Sequence, residues 1–333
     1  MPNQLTLFEP PEDDATLARR AADEALAARH REFAGVAARL PAPLAFGTSS
    51  WSFPGWAGLV YPAGVTAPAL AREGLRHYAR HPLLRTVGVD RSYYAPIPAD
   101  DLRAWADQLP EDFRCCIKAP ASVVSRLTPG GGRRGGLNPG FLSVGRLVAD
   151  LLEPLYAAFH RHAGPIVLEF PPSARDPRQA PEAFLDALDP FLGALPREFE
   201  CAVELRDRAL LTPAYRSLLA RHGLAHTFNY WSAMPGLAGQ AAVVPPDDGP
   251  FSVLRLLLRP GTWYEDQRDR FAPFNRLVAP DETMRDEVVQ LTTRALARGR
   301  RVYVLVNNKA EGSSPLTVEA LAARVAAAWS ARA

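Results

Sequence analysis

A short apolar run ending in a polar or charged residue, followed by an Ala-, Leu- and Arg-rich helical stretch, recurs about eight times along these 333 residues. Apolar runs bounded by turn signals and spaced by helical patterns read as βαβ units. Runs that are apolar on both faces imply a parallel sheet covered by helices. Eight such units predict a closed α/β barrel of the TIM-barrel type, (β/α)8, with strands near 44–49, 86–90, 113–118, 165–169, 201–205, 224–228, 252–257 and 302–306. In such barrels the chemistry gathers at the carboxyl ends of the strands. That rule selects Ser49, Asp90, Lys118, Glu169, Glu204, Arg206 and Asn307 as site candidates.

One barrel of about 250 residues leaves room for an amino-terminal extension. Asp13 or Asp14 can cap a helix reaching about Leu40, with Ala22, Leu26, Phe33, Val36 and Leu40 as its apolar stripe, and Pro41 and Pro43 end it. The expected division is therefore an extension over 1–40 and a barrel over 41–333, with the helix lying against the barrel. Hydrophobic residues make up 47% and charged residues 22%, enough apolar material for a large core. A net charge of +2 excludes bulk electrostatics as the basis for binding nucleic acid or membrane, so anion recognition has to be local. Lys occurs only at 118 and 309, which draws attention to both. Cys115, Cys116 and Cys201 lie in apolar runs without disulfide or metal-ligand spacing and read as buried thiols. No signal peptide precedes them and no apolar run approaches about 18 residues, so a cytoplasmic location is expected.

Read in order, GTSSW (47–51), VYP (60–62), TVGVDRSYY (86–94), FRCCIKAP (113–120), EFPPS (169–173), AVELRD (202–207), LRLLLR (254–259) with Trp263-Tyr264, and VNN (306–308) form a series. The series resembles the YecE-like family, domain of unknown function 72, over about 42–333. The resemblance implies a TIM-barrel-like fold with a polar pocket at one end and no established reaction. By position Trp51, Tyr61, Tyr94, Lys118, Glu204, Arg206 and Asn307 match the family's motifs. Against that pattern Gly88 stands where glutamate is usual, and Arg255-Leu256-Leu257-Leu258 where Arg-x-His-Gly is usual. Asp90 replaces asparagine, Glu169 replaces glutamine, and Lys309 stands where histidine is common. The missing groups imply altered or lost chemistry, unless Asp90 and Glu169 restore the carboxylates from neighbouring positions.

Alternation along a strand puts Glu204 and Arg206 on one side, about 7 Å apart. Glu169 ends the preceding strand and Lys118 the one before it. Two carboxylates beside Lys and Arg suit general acid and base work with an anion clamp, as a hydrolase or lyase would use. The competing reading is a structural network, because charges inside a barrel must be paired whether or not anything reacts; closure of the pocket by mutual ion pairs and Leu257 would favour it. A divalent metal would draw on Asp90, Glu169, Glu204 and His226, but no close ligand motif enforces one, and His226 also fits a core position. His77 and His81 share a helix face and read as surface residues. Trp51, Tyr93, Tyr94, Trp231, Trp263 and Tyr264 follow strands or lie in loops, where aromatics either stack a sugar or base or anchor the loop. Together with Asn229, which falls just past the sixth strand, Ser49, Trp51, Asp90, Tyr94, Trp263, Tyr264 and Asn307 form the expected substrate-binding set. The loop 125–140, with GGGRRGG, brings Arg133 and Arg134 to the same face, where they either meet an anion or, the stronger reading, belong to a solvated and partly disordered loop; it lacks the Gly-Lys-Ser/Thr of a P-loop. Residues 230–250 are rich in Ala, Gly and Pro and read as an elaborated loop. No dinucleotide fingerprint or nucleophile elbow occurs.

Gln4-Leu5-Thr6-Leu7-Phe8 matches Gln-Leu-x-Leu-Phe, the pentapeptide with which many bacterial replication and repair proteins dock on the sliding DNA clamp. Gln4, Leu5, Leu7 and Phe8 are then partner-binding residues; equally, Leu5, Leu7 and Phe8 can staple the extension to its own barrel. Two functions follow: an enzyme for a small anionic, phosphate- or sugar-containing substrate, or a non-catalytic accessory of nucleic acid or the clamp.

Overall fold

The computed structural model describes residues 14–128, 136–176 and 178–332, apart from the side chains of Ala15, Ser173 and Tyr264. Eight parallel strands close in chain order: β1 (Leu44–Thr48), β2 (Leu84–Val89), β3 (Arg114–Lys118), β4 (Ala163–Phe170), β5 (Cys201–Leu205), β6 (Ala225–Tyr230), β7 (Phe251–Leu256) and β8 (Arg301–Val306). Closure is made by β1 against β8, in register from Leu44–Val302 to Thr48–Val306. Every expected strand is present, with its ends displaced by no more than two residues. The helices among the described residues are α1 (Asp14–Ala37), α2 (Ala67–Tyr78), α3 (Arg91–Tyr94), α4 (Ala99–Ala106), α5 (Ala121–Val124), α6 (Val144–Leu147), α7 (Glu153–Ala158), α8 (Pro181–Gly193), α9 (Pro213–His222), α10 (Leu237–Val243), α11 (Tyr264–Phe271), α12 (Glu282–Ala297) and α13 (Ser314–Ser330). None is long and apolar enough to cross a membrane.

Alternation divides each strand between two apolar regions. Outward residues such as Phe46, Val87, Ile117, Leu168 and Val203 join the helices in the main core. Inward residues form a smaller cluster inside the barrel, where Phe251 and Tyr303 pack with Cys116, Ala202, Val253 and Leu305. Two positions further along, the same inward rows become Lys118, Glu204 and Arg255, so the interior is apolar below and charged at the carboxyl ends. The three cysteines are buried and free, and burial pushes the thiols of Cys116 and Cys201 up to about 12, which suits packing and not nucleophilic attack.

Two glycines face backbone where β1 meets β2. A Cβ on Gly47 would stand 1.9 Å from the Thr86 carbonyl oxygen, and one on Gly88 3.2 Å from the Ser49 Cα. Gly47 therefore needs glycine for the approach of backbone to backbone, whereas at Gly88 a side chain would ask its neighbour to give by a few tenths of an ångström.

Helix α1 packs on α13 through its apolar stripe, Leu26 being buried and Phe33, Val36 and Leu40 resting on the core. Arg29 donates to both Glu319 oxygens. His81, expected at the surface, is instead buried, its ring between His30 and Phe33 of α1 and its Nε2 3.8 Å from Glu319. His77 is half-buried against Tyr61. The segment 230–250 is not all loop: α10 is held by buried Gln240, which accepts from Asn229 N and donates to the carbonyls of Asn229 and Pro235. Side-chain hydrogen bonding has overridden weak helix propensity there.

Candidate functional site at the carboxyl ends of the strands

Six charges meet at this end of the barrel. Glu169, next to last in β4, and Glu204, next to last in β5, are register partners, so their carboxylates lie side by side. Lys118 closes β3, Arg206 follows β5, Arg255 is next to last in β7, and Asp90 follows β2. Lys118 Nζ, Arg206 Nη2 and Arg255 Nη1 all reach Glu169 Oε2, at 3.0, 2.9 and 3.0 Å. Arg255 Nη1 also donates to Glu204 Oε2 at 2.6 Å, and Nη2 donates to Asp90 Oδ1 at 3.1 Å. Arg206 Nε lies 2.6 Å from Glu204 Oε1, an ion contact without hydrogen-bond alignment, since neither atom has an aligned partner.

These contacts shift the acidity of Glu169 and of Arg255. Burial pushes the Glu169 carboxyl up, but Arg206, Lys118 and Arg255 outweigh it and hold the group well below the usual carboxylate range. For Arg255 burial favours the neutral form, and Glu204, Asp90 and Glu169 overcome it and raise its pKa. Glu169 is thus a fixed anion, unsuited to donating a proton near neutral pH.

The network has a floor and a rim. Glu204 and Arg255 are sealed, with 0% and 4% of the side chain exposed; Lys118, Glu169 and Arg206 stand at 7–10%, and Asp90 at 38%. Two aromatic faces cover the rim cations: Lys118 Nζ sits 3.6 Å from the centre of the Tyr93 ring, and the Arg206 guanidinium carbon 4.3 Å from that of Trp231. Such contacts stabilise a cation and fix its position without using its N–H donors on a carboxylate.

All four expected catalytic candidates are brought together here, with Asp90 from the expected binding set. Ser49 is buried and its Oγ has no partner among the described residues. Asn229 is fully buried, its Nδ2 donating to the Leu205 carbonyl. The Asn307 side chain shapes its own turn by accepting from Lys309 N, while Asn308 ties the loop to Trp56 Nε1 and Ser314. Trp51 turns away to pack edge-on against Trp105 of α4. Tyr94 and Trp263 are exposed, Tyr94 edge-on to Tyr93 and Trp263 just before α11; Tyr264 opens α11, and its side chain lies outside the described residues. Arg133, Arg134, Gln4, Leu5, Leu7 and Phe8 also lie outside them. The described base of the 125–140 loop is closed by a Leu127–Leu137 bridge and by Asn138 Nδ2 donating to the carbonyls of Ser122 and Ser125.

The four proposed metal ligands do not converge. His226 faces the helix layer, its Nδ1 3.0 Å from Tyr215 Oη, and burial lowers its pKa to about 4. No three His, Cys, Asp or Glu side chains gather as a metal site among the described residues.

Arg255 is the residue that sequence reasoning missed. Its signal was present: it alternates with inward Val253, and a lone Arg inside an otherwise apolar strand requires buried carboxylates. Trp231 was legible only as one aromatic among several. Gly88, in the place where the family pattern has glutamate, leaves Asp90 as the carboxylate on this side of Arg255.

Comparison with solved structures supports the fold. A DUF72 family protein from Enterococcus faecalis superposes with a TM-score of 0.59 at 15% identity, covering 85% of this chain and 95% of that one. One from Thermotoga maritima gives 0.58 at 17% identity, covering 84% and 97%. Among curated proteins no match was found. The family model described as "Protein of unknown function DUF72" matches residues 45–332, from the second residue of β1 to the end of the described chain, and the protein accordingly belongs to the DUF72 family.

Proposed function

We propose that this protein is an enzyme that binds a small anionic, phosphate- or sugar-containing substrate over the charged rim, acting as a hydrolase or lyase. The observation that carries this reading is the convergence of Lys118 and Arg206 on one oxygen of Glu169 at the solvent boundary, each cation stacked on an aromatic ring. Lys118 has three N–H donors and one carboxylate contact, so it retains donors for a ligand oxygen. Tyr93 and Trp231, stacked on these cations, hold them in place for a ligand. Glu204, sealed under two arginines, supports the rim from below, so the informative substitution is Lys118→Met, which keeps the stem against Tyr93 and removes the charge. Against whichever phosphorylated or carboxylated sugar a screen shows to be turned over, Lys118→Met is expected to lower kcat/KM by about 100-fold or more while shifting Tm by only a few degrees. Unchanged turnover would remove Lys118, and this reading with it.

The mutual pairing of all six charges favours a second reading, in which the network only stabilises the barrel and function lies in docking to a sliding clamp through Gln4, Leu5, Leu7 and Phe8. A peptide spanning residues 1–12 is then expected to bind a bacterial clamp, and Gln4→Ala with Phe8→Ala to abolish binding; an inert wild-type peptide rules this out.

A further inference from the structure

We infer that the Asp90 carboxylate is a resident stand-in for the ligand, occupying Arg255 Nη2 until a substrate carrying one negative charge, a carboxylate or a phosphodiester, displaces it. This inference rests on the anion-binding reading of the rim and narrows it to monoanions. Three observations single out Asp90. It is the member of the network most open to solvent, at 38% of its side chain against 10% or less for the others. It has one ion contact in the network, where Glu204 has two and Glu169 three. Nothing local ties it down, because at the N-cap of the short helix α3 its side chain makes no capping bond, and neighbouring Arg91 is engaged by Asp101.

Charge then sets the ligand class. Three cations face three carboxylates, and with Asp90 swung out the remaining five groups carry a single positive excess. A monoanion restores neutrality among side chains that are 10% exposed or less, whereas a dianionic phosphomonoester leaves a negative excess. The 3.1 Å contact to Arg255 is monodentate, so an incoming oxyanion that also reaches Lys118 gains contacts that Asp90 lacks.

The test uses formate as the probe and thermal unfolding as the readout, with chloride at matched ionic strength as control. Asp90→Ala opens the space beside Arg255 Nη2 and is expected to show saturable, formate-specific stabilisation with an apparent Kd at least about tenfold below that of the wild type, and a weaker response to hydrogen phosphate. Asp90→Asn keeps the volume, removes the charge, and is expected to bind formate more tightly than the wild type; it decides the matter if the alanine variant does not fold. Equal formate binding by wild type and both variants overturns the stand-in role and leaves the rim as an anion site. No formate-specific response in any of them overturns both. A preference for hydrogen phosphate over formate overturns the monoanion assignment.

Discussion

Glu169 shows how one side chain couples fold to acidity. Its carboxyl is held ionised by three cations, so its folded pKa lies below the unfolded value of about 4.3. A group depressed in this way contributes stability that is fully present above the unfolded pKa and is lost as pH falls through that value toward the folded one. In urea unfolding the part of the stability that this group supplies should therefore be level above about pH 6 and fall by at least about 1 kcal/mol below about pH 4, on top of the loss that buried His226, with its pKa near 4, brings as pH drops below about 7. Glu169→Gln should cost about 3–5 kcal/mol at neutral pH, because it strands Lys118, Arg206 and Arg255, and should flatten the acid limb; parallel curves for the two proteins would refute the assignment. At this scale the sequence was a good guide to Lys118, Glu169, Glu204 and Arg206, because polar residues terminating apolar runs stand out. Arg255 was passed over because it sits inside its strand and not just past the end of an apolar run, where the other charged residues stand. The placement of Trp51 on Trp105, and of Asn307 in its own turn, depends on loop paths that no residue pattern encodes.

Among the elements, the β1–β2 pair is the most constrained. Gly47→Ala sets a methyl against the Thr86 carbonyl and forces the strands apart, whereas Gly88→Ala meets Ser49 at a distance that small shifts relieve. Chemical denaturation should rank them accordingly, Gly47→Ala costing about 3 kcal/mol or more and Gly88→Ala about 1–2 kcal/mol; the reverse order would show that β1 is free to move. All eight strands were legible because burial on both faces leaves a continuous apolar run that no loop mimics. α10 was not, because what forms it is Gln240 folding back onto Asn229, a tertiary contact hidden in a Gly- and Ala-rich stretch.

For the molecule as a whole, periodicity in the chain carried the architecture, while the partner of each charge had to come from the closed barrel. The burial of His81 makes the same point, since nothing near it in sequence announces that α1 will cover it. The closure of β1 on β8 bears on synthesis as well. The first strand to leave the ribosome keeps one edge unpaired until the last strand has emerged, and β7 waits for the same strand. An exposed edge invites pairing with another chain. A polypeptide that stops between β2 and Arg301 therefore cannot close the barrel and leaves the edges of its first and last strands without their partner, so the final stretch of translation is what makes the protein safe in company.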